Sequence, residues 1–373
     1  VASGEMFTDN YFFFGKSYRI STDSKAFRQE LKDIYRHFLS LKRGEIFEKI
    51  HIFSGQTNCQ KAGIKWDDSF YPLSKLSARQ VALAIPSLIA SRMSSHFIFH
   101  GGVVSWKGKG FIICAYSAFG KTTLVMELLK RGFSLLSDEL APISVSSRLI
   151  EPFPRSLRLS AKTFKLFPEL STAHLKKNKK DRRRKIMLDI DNLAWAKLGE
   201  RCFPGYVIFL SPPGGIKGKE TFIELALTYI TPAFLKKLAK IKGVREVSRI
   251  KGRDFSLLSL KVKKGVRLIP AIKNLCLDCR IPLIYAHRGK AGPMDWQAFP
   301  SLKPIASSSG FLKLSQMLLL VSKEALLKGR FSGSSPRLLM ELTRLTQGTR
   351  FFEMVPGKLS QMAELIEKLV KRV

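Results

Sequence analysis

The run FIICAYSAFGKTTLVMELLKRG, Phe111 to Gly132, constrains the fold more than any other stretch of the chain. An apolar segment suited to a buried strand leads through a short loop into a helical pattern, with Leu124, Leu128 and Leu129 on one face and Gly132 placed to cap its end. A strand that turns straight into a helix needs a sheet with helices packed on it. The stretch therefore predicts a mixed α/β architecture.

The loop itself, AYSAFGKTT, has the parts of a phosphate-binding loop. In such loops backbone N–H groups converge on phosphate oxygens, and the N-terminus of the following helix adds partial positive charge. Gly120 allows close approach, Lys121 brings a cation, and Thr122 brings a hydroxyl. Ala115 and Ala118 stand where glycine is frequent, and alanine costs little wherever φ stays negative. Ala115, Tyr116, Ser117, Ala118, Phe119, Gly120, Lys121, Thr122 and Thr123 are therefore expected to bind a nucleotide.

A carboxylate at the end of a neighbouring strand completes such a site, and FSLLS is followed by Asp138 and Glu139. One acid is expected to help hold magnesium, and the other to accept a proton from an attacking hydroxyl. Adjacent side chains on an extended strand point apart, but at a strand's end both reach one place. His100 ends the short apolar run HFIFH before Gly101 and Gly102; its residue pattern alone suits a structural histidine.

The rest of the chain organises around this core. Residues 1–73 read as a small α+β region, with a hairpin at Gly15-Lys16, a helix in KAFRQELKDIYRHFL and a strand in IFEKIHIF. A helix follows from Ser77 to Ser94, with Pro86 as a kink or break. The two apolar runs around KGKG predict one hairpin from Phe97 to Cys114. Between Thr221 and His287 the order is strand, helix, strand, strand, helix, strand, and Thr231 with Pro232 marks the first helix start. That order is the ferredoxin-like βαββαβ pattern, read as an insertion over 216–292. Residues 74–215 and 293–373 then form the two parts of the core. In the closing helix, Met362, Leu365, Ile366, Leu369 and Val370 make one apolar stripe.

Charge and cysteine usage narrow the setting. The chain has 64 Lys+Arg against 29 Asp+Glu, a formal charge of +35, which favours anionic partners without choosing among them. The densest run, KKNKKDRRRK, has no aromatic residue on which a base would stack, so nucleic acid is allowed by charge but unsupported by motif. Five cysteines among 373 residues, with Cys276 and Cys279 as a lone CxxC, suit a reducing compartment rather than a disulfide scaffold or zinc site. No apolar run is long enough to span a bilayer, and the opening VASGEMF has no signal core. A cytoplasmic protein is expected.

The segment from His100 to Glu139 resembles the catalytic domain of the HPr kinase/phosphorylase family and its HPr-kinase-like relatives, which share a core with ATP-dependent phosphoenolpyruvate carboxykinases. The resemblance is carried by His100-Gly101, the hairpin into the loop, Ser117, Gly120-Lys121-Thr122, Lys130-Arg131-Gly132 and Leu136-Ser137-Asp138-Glu139. GYVIFL and FFEMVPGKLSQMAELIEKLV resemble the last strand and helix of those relatives. The resemblance implies a P-loop kinase core that transfers the terminal phosphoryl group of ATP to a protein or peptide serine. Lys121 would contact phosphates, Thr122 and Asp138 would ligate Mg2+, Glu139 would take the proton, and His100 would orient the acids. The HPr kinases proper have Asp where Glu139 stands. The family's downstream Arg-Gly-Leu-Gly stretch, with its second magnesium-binding Glu, has no counterpart; Glu151 and Arg155 in EPFPRSLRL stand near its place.

Three other readings fit the same residues: a non-catalytic nucleotide sensor, a small-molecule kinase on the same core, and a basic protein associated with nucleic acid. Each is compatible with a homo-oligomer.

Overall fold

The computed structural model describes residues 6–40, 48–55, 62–72, 78–91, 95–115, 119–170, 186–211, 216–217, 222–227, 230–250, 256–263, 268–279, 283–288, 290–291, 294–318 and 336–371. It is a mixed α/β structure with several sheets. Tyr116, Ser117, Ala118, Cys59 and the basic run Lys176 to Lys185 lie outside the described residues. The stretch SGFLKLSQMLLLVSKEALLKG, 309–329, which reads as a helix, is described only as far as Leu318.

Strands β1 (Phe7–Phe13) and β2 (Lys16–Thr22) form a hairpin. Its two turn residues are Phe14 and Gly15, one position earlier than the sequence suggests, and both have positive φ, 51° and 77°. That is the twist that matches a two-residue hairpin turn. Helix α1 (Lys25–Tyr35) carries the chain across to β3 (Glu48–Phe53), which pairs in parallel with β2. β4 (Gly63–Trp66) and β5 (Ser69–Pro72) complete a five-stranded sheet in chain order. Ser24 caps α1 by accepting from Phe27 N, and the helix buries Phe27, Leu31, Ile34 and Tyr35. Helix α2 (Ala78–Ser91) packs on α1 and contains Pro86 without ending there.

Aromatic rings dominate the core of this lobe. Phe13 is enclosed by Tyr11, Tyr35, Phe38 and Phe153, with centroids 5.0 to 6.2 Å away. Such pairs add about 0.5–1.5 kcal/mol each beyond the area they bury. The same core includes Ile98, Leu140 and Phe153, so the N-terminal lobe is packed onto the strands that follow.

Those strands depart from expectation. The apolar run at 97–114 is not one hairpin: it breaks at Gly101. β6 (His96–His100) turns away to pair with β10 (Leu140–Ser144), while β7 (Gly102–Trp106) and β8 (Lys109–Cys114) form the hairpin around Lys107-Gly108. A Cβ on Gly101 would stand 2.9 Å from Ile112 Cγ2 and 3.3 Å from Ile113 O, so the bend fits only glycine without rearrangement. Helix α3 (Lys121–Lys130) follows β8, and β9 (Ser134–Ser137) then pairs antiparallel with β7.

The chain continues through β11 (Leu157–Leu159), α4 (Ala161–Lys165), β12 (Ile186–Leu188), β13 (Lys197–Leu198) and β14 (Phe203–Leu210). Next come β15 (Ile216–Lys217), β16 (Phe222–Leu227), α5 (Pro232–Ala239), β17 (Val244–Ile250), β18 (Ser256–Val262), α6 (Ile269–Asp278), β19 (Leu283–Arg288) and β20 (Lys290–Ala291). β21 (Ser301–Pro304), α7 (Ser307–Gln316), α8 (Pro336–Leu345), β22 (Arg350–Val355) and α9 (Leu359–Lys371) close it.

A seven-stranded sheet has the order β13-β9-β7-β8-β14-β22-β21, and a four-stranded antiparallel sheet the order β17-β18-β16-β19. The four-stranded sheet and its helices have their own core, built from residues such as Leu225, Phe234, Leu258, Leu260 and Ile272. Thr231 caps α5 through Phe234 N, worth about 1 kcal/mol.

By compactness the chain divides into two units. One comprises 1–114, 122–208 and 305–351; the other comprises 115–121, 209–304 and 352–373, so the division runs through β14 and β22. Among the described residues no helix is long and apolar enough to cross a membrane.

Candidate active site

Strand register places the candidate residues of the first unit. β7 runs antiparallel to both neighbours, with Gly102 opposite Ile113 and Val103 opposite Ser137. The C-terminal ends of β8 and β9 therefore flank the start of β7. Cys114, from which the loop departs, shares one end of the sheet with Ser137 and the acids after it. His100 immediately precedes this point and stands opposite Leu140 in the β6–β10 pair, while Gly101 N donates to Glu139 O at 3.1 Å. The backbone of His100 is fixed too, its N–H donating to Met317 O at 2.8 Å.

The turn at the acids has a local cause. Ser137 Oγ accepts from Glu139 N and Leu140 N, which bends the chain between β9 and β10. Asp138 is 3% exposed, and its Oδ1 is buried without a hydrogen-bond donor. The Glu139 side chain is 34% exposed and forms an ion pair with Arg155 Nη2, whose own side chain is 5% exposed. The two acids thus differ in situation: one is sealed in, the other is half open and held from behind.

Arg155 reaches them because its segment is clamped. Phe153 N donates to Leu136 O at 2.7 Å beside β9, and Ser156 N and Oγ donate to Ile34 O and Asp33 O of α1. Burial pulls the guanidinium below the ordinary arginine value, and the nearby Tyr35 and Asp138 oppose that effect. Tyr35 itself is pushed up to about 12 by burial, with Arg155 working against the shift. A buried cation beside two carboxylates is mutually dependent, and removing one partner of such a group costs about 3–5 kcal/mol.

Between β8 and α3, Ala115 is buried and is not among the positive-φ residues, so the alanine meets no backbone penalty there. Gly120 has φ +85°, and a Cβ there would come within 2.7 Å of Met294 Cε and 3.0 Å of Trp296 Cη2. Glycine is required on both counts. Phe119 is buried; Lys121 and Thr122 are half-buried and open α3. Thr123 Oγ1 lies 3.1 Å from Thr163 Oγ1, which joins the first turn of α3 to α4.

Glu151 meets His96 rather than the acids at 138 and 139, with 3.2 Å between Nε2 and Oε2. Sequence reasoning singled out Arg155 only by its neighbourhood and missed Tyr35 altogether. A tyrosine over a hundred residues away carries no local signal of such a role. Elsewhere, His37, Asp189 and Asp191 cluster within ligand distance of one another, but Arg36 pairs with both carboxylates and occupies an oxygen of each.

Asp138 Oδ1 bears on magnesium. A buried carboxylate oxygen with no donor is the kind of atom a divalent cation satisfies, and a hard oxygen suits Mg2+. The residues present fit the ion.

No family model matches the chain, and no curated protein matches it significantly. Among solved structures, the Hpr(Ser) kinase/phosphatase from Coxiella burnetii aligns with 49% of this chain and 90% of its own, at 14% identity and a TM-score of 0.19. That score is too low to argue a shared overall fold or activity. The chain's own side chains carry the chemistry.

Proposed function

We propose that the chain is a P-loop phosphotransferase of the HPr-kinase-like serine kinase type, moving the terminal phosphoryl group of ATP to a hydroxyl of a protein or peptide. The observation that supports this best is the division of labour between Asp138, buried with a bare carboxylate oxygen, and Glu139, half-exposed and anchored. In this reading Thr122 and Asp138 hold Mg2+, which supplies charge neutralisation on the transferring group. Lys121 and the amides opening α3 bind the phosphates. Glu139 accepts the proton of the attacking hydroxyl as the new O–P bond forms and the bond to the departing ADP oxygen breaks. His100 orients the acids. The βαββαβ module at 216–292, of ferredoxin-like pattern, serves docking or regulation.

Two variants test the reading. Lys121→Ala should weaken ATP binding at least about a hundredfold, because the phosphate charge loses its fixed counter-ion. Glu139→Gln should bind ATP normally and transfer label from ATP to its acceptor in host lysate about 10²–10³-fold more slowly. An unchanged dissociation constant in the first, or full transfer in the second, would remove the proposal.

A further inference from the structure

Glutamate is a poor choice for a base that must sit in one place. Its side chain has one more rotatable bond than aspartate, and each free bond lowers the fraction of time spent in a reactive geometry. At Glu139 that freedom is removed from one side. The ion pair with Arg155 holds one face of the carboxylate, while 34% exposure leaves the other open.

Arg155 in turn does not choose its own position. Phe153, two residues before it, lies in the aromatic core of the N-terminal lobe, stacked on Phe14 at 5.2 Å and against Phe38 at 4.8 Å. Ser156, directly after it, is bonded to the end of α1 through both its N–H and its hydroxyl. Tyr35 of the same helix packs its ring edge-on against Phe153 at 6.3 Å, and it stands near enough to the guanidinium to favour its charged form against burial. The Tyr35 hydroxyl is itself held in place, because it donates to Ala82 O of α2 at 3.2 Å.

We infer that Arg155 is a positioning residue for Glu139 and that Tyr35, in the N-terminal lobe, fixes where Arg155 stands. The inference rests on the proposed role of Glu139 in phosphoryl transfer. It gives the N-terminal lobe a part in the reaction: α1 reaches the base through one hydroxyl and one guanidinium. Neither residue touches the reacting atoms.

The test uses the full chain, magnesium-ATP as ligand, and water as the acceptor, so that slow ATP hydrolysis is the readout. Tyr35→Phe keeps the ring and its packing but removes the hydroxyl; its turnover number should fall about tenfold, with ATP affinity changed less than about twofold. Arg155→Ala should fall about a hundredfold, and millimolar guanidinium should restore a large part of the loss without raising the melting temperature. The same guanidinium should do nothing for Glu139→Gln. If Arg155→Ala does not fold, Tyr35→Phe decides alone. Wild-type turnover in a folded Tyr35→Phe overturns the inference and leaves the kinase reading standing. A wild-type chain that neither binds ATP nor turns it over overturns both.

Discussion

His96 and Glu151 meet at the opposite end of β6 from His100, with 3.2 Å between Nε2 and Oε2. Contact with His96 outweighs burial and holds the Glu151 carboxyl below its usual value of 4.5. A carboxyl whose folded pKa is depressed stabilises the fold above its unfolded pKa, and the contribution disappears as pH falls through the folded value. Glu151→Gln should therefore cost about 0.5–1 kcal/mol at pH 7 and less at pH 3. Urea unfolding at both values checks this. A difference that stays constant with pH would assign the loss to packing.

The bend between β6 and β7 should tolerate no side chain. In Gly101→Ala the new methyl meets Ile112 Cγ2 at 2.9 Å and the Ile113 carbonyl, part of it unyielding backbone. Destabilisation of about 1–3 kcal/mol is expected, by the usual cost of overpacking. Because Gly101 N also bonds Glu139 O, transfer activity should drop further than stability explains. Melting and turnover measured together separate the two effects.

Phe153 joins the N-terminal aromatic core to the segment that carries Arg155. It is 1% exposed and contacts four rings of that lobe. Phe153→Ala should cost about 3–5 kcal/mol. Chemical denaturation should show the loss as one cooperative shift. An early separate transition of the lobe would mean that the shared core is not a single folding unit.

The CxxC pair should behave as two unequal thiols. Cys276 is buried on α6 and pushed up to about 11, first by burial, whereas Cys279 is partly exposed one turn on. Cys202 is pushed up to about 12 by the same cause. Since the thiolate is the reactive form, iodoacetamide at neutral pH should label Cys279 well before Cys276 or Cys202. Peptide mass spectrometry reads the order directly, and equal labelling would contradict it.

Much of this was legible in local patterns. The strand that ends at Cys114, the helix opened by Lys121, and the Thr231-Pro232 start of α5 are all written within a few residues of where they stand. The pairing of β6 with β10 is not: HFIFH and GVVSW are alike in composition, and what separates them is the space left at Gly101 by Ile112 and Ile113. The partnership of Arg155 with Glu139 was half visible, since position in the chain brought the arginine near. Its anchor at Tyr35 depends on how α1 packs, and that is decided by a core drawn from distant segments.

β15 and β20 pair antiparallel, with Lys217 opposite Lys290, so the chain enters and leaves the four-stranded module through one narrow neck. A cassette mounted this way can be shortened, lengthened or exchanged without its attachment points drifting apart. The module can be revised while the strands on either side of Asp138 and Glu139 stay untouched, and a laboratory graft at the same two lysines has the same freedom.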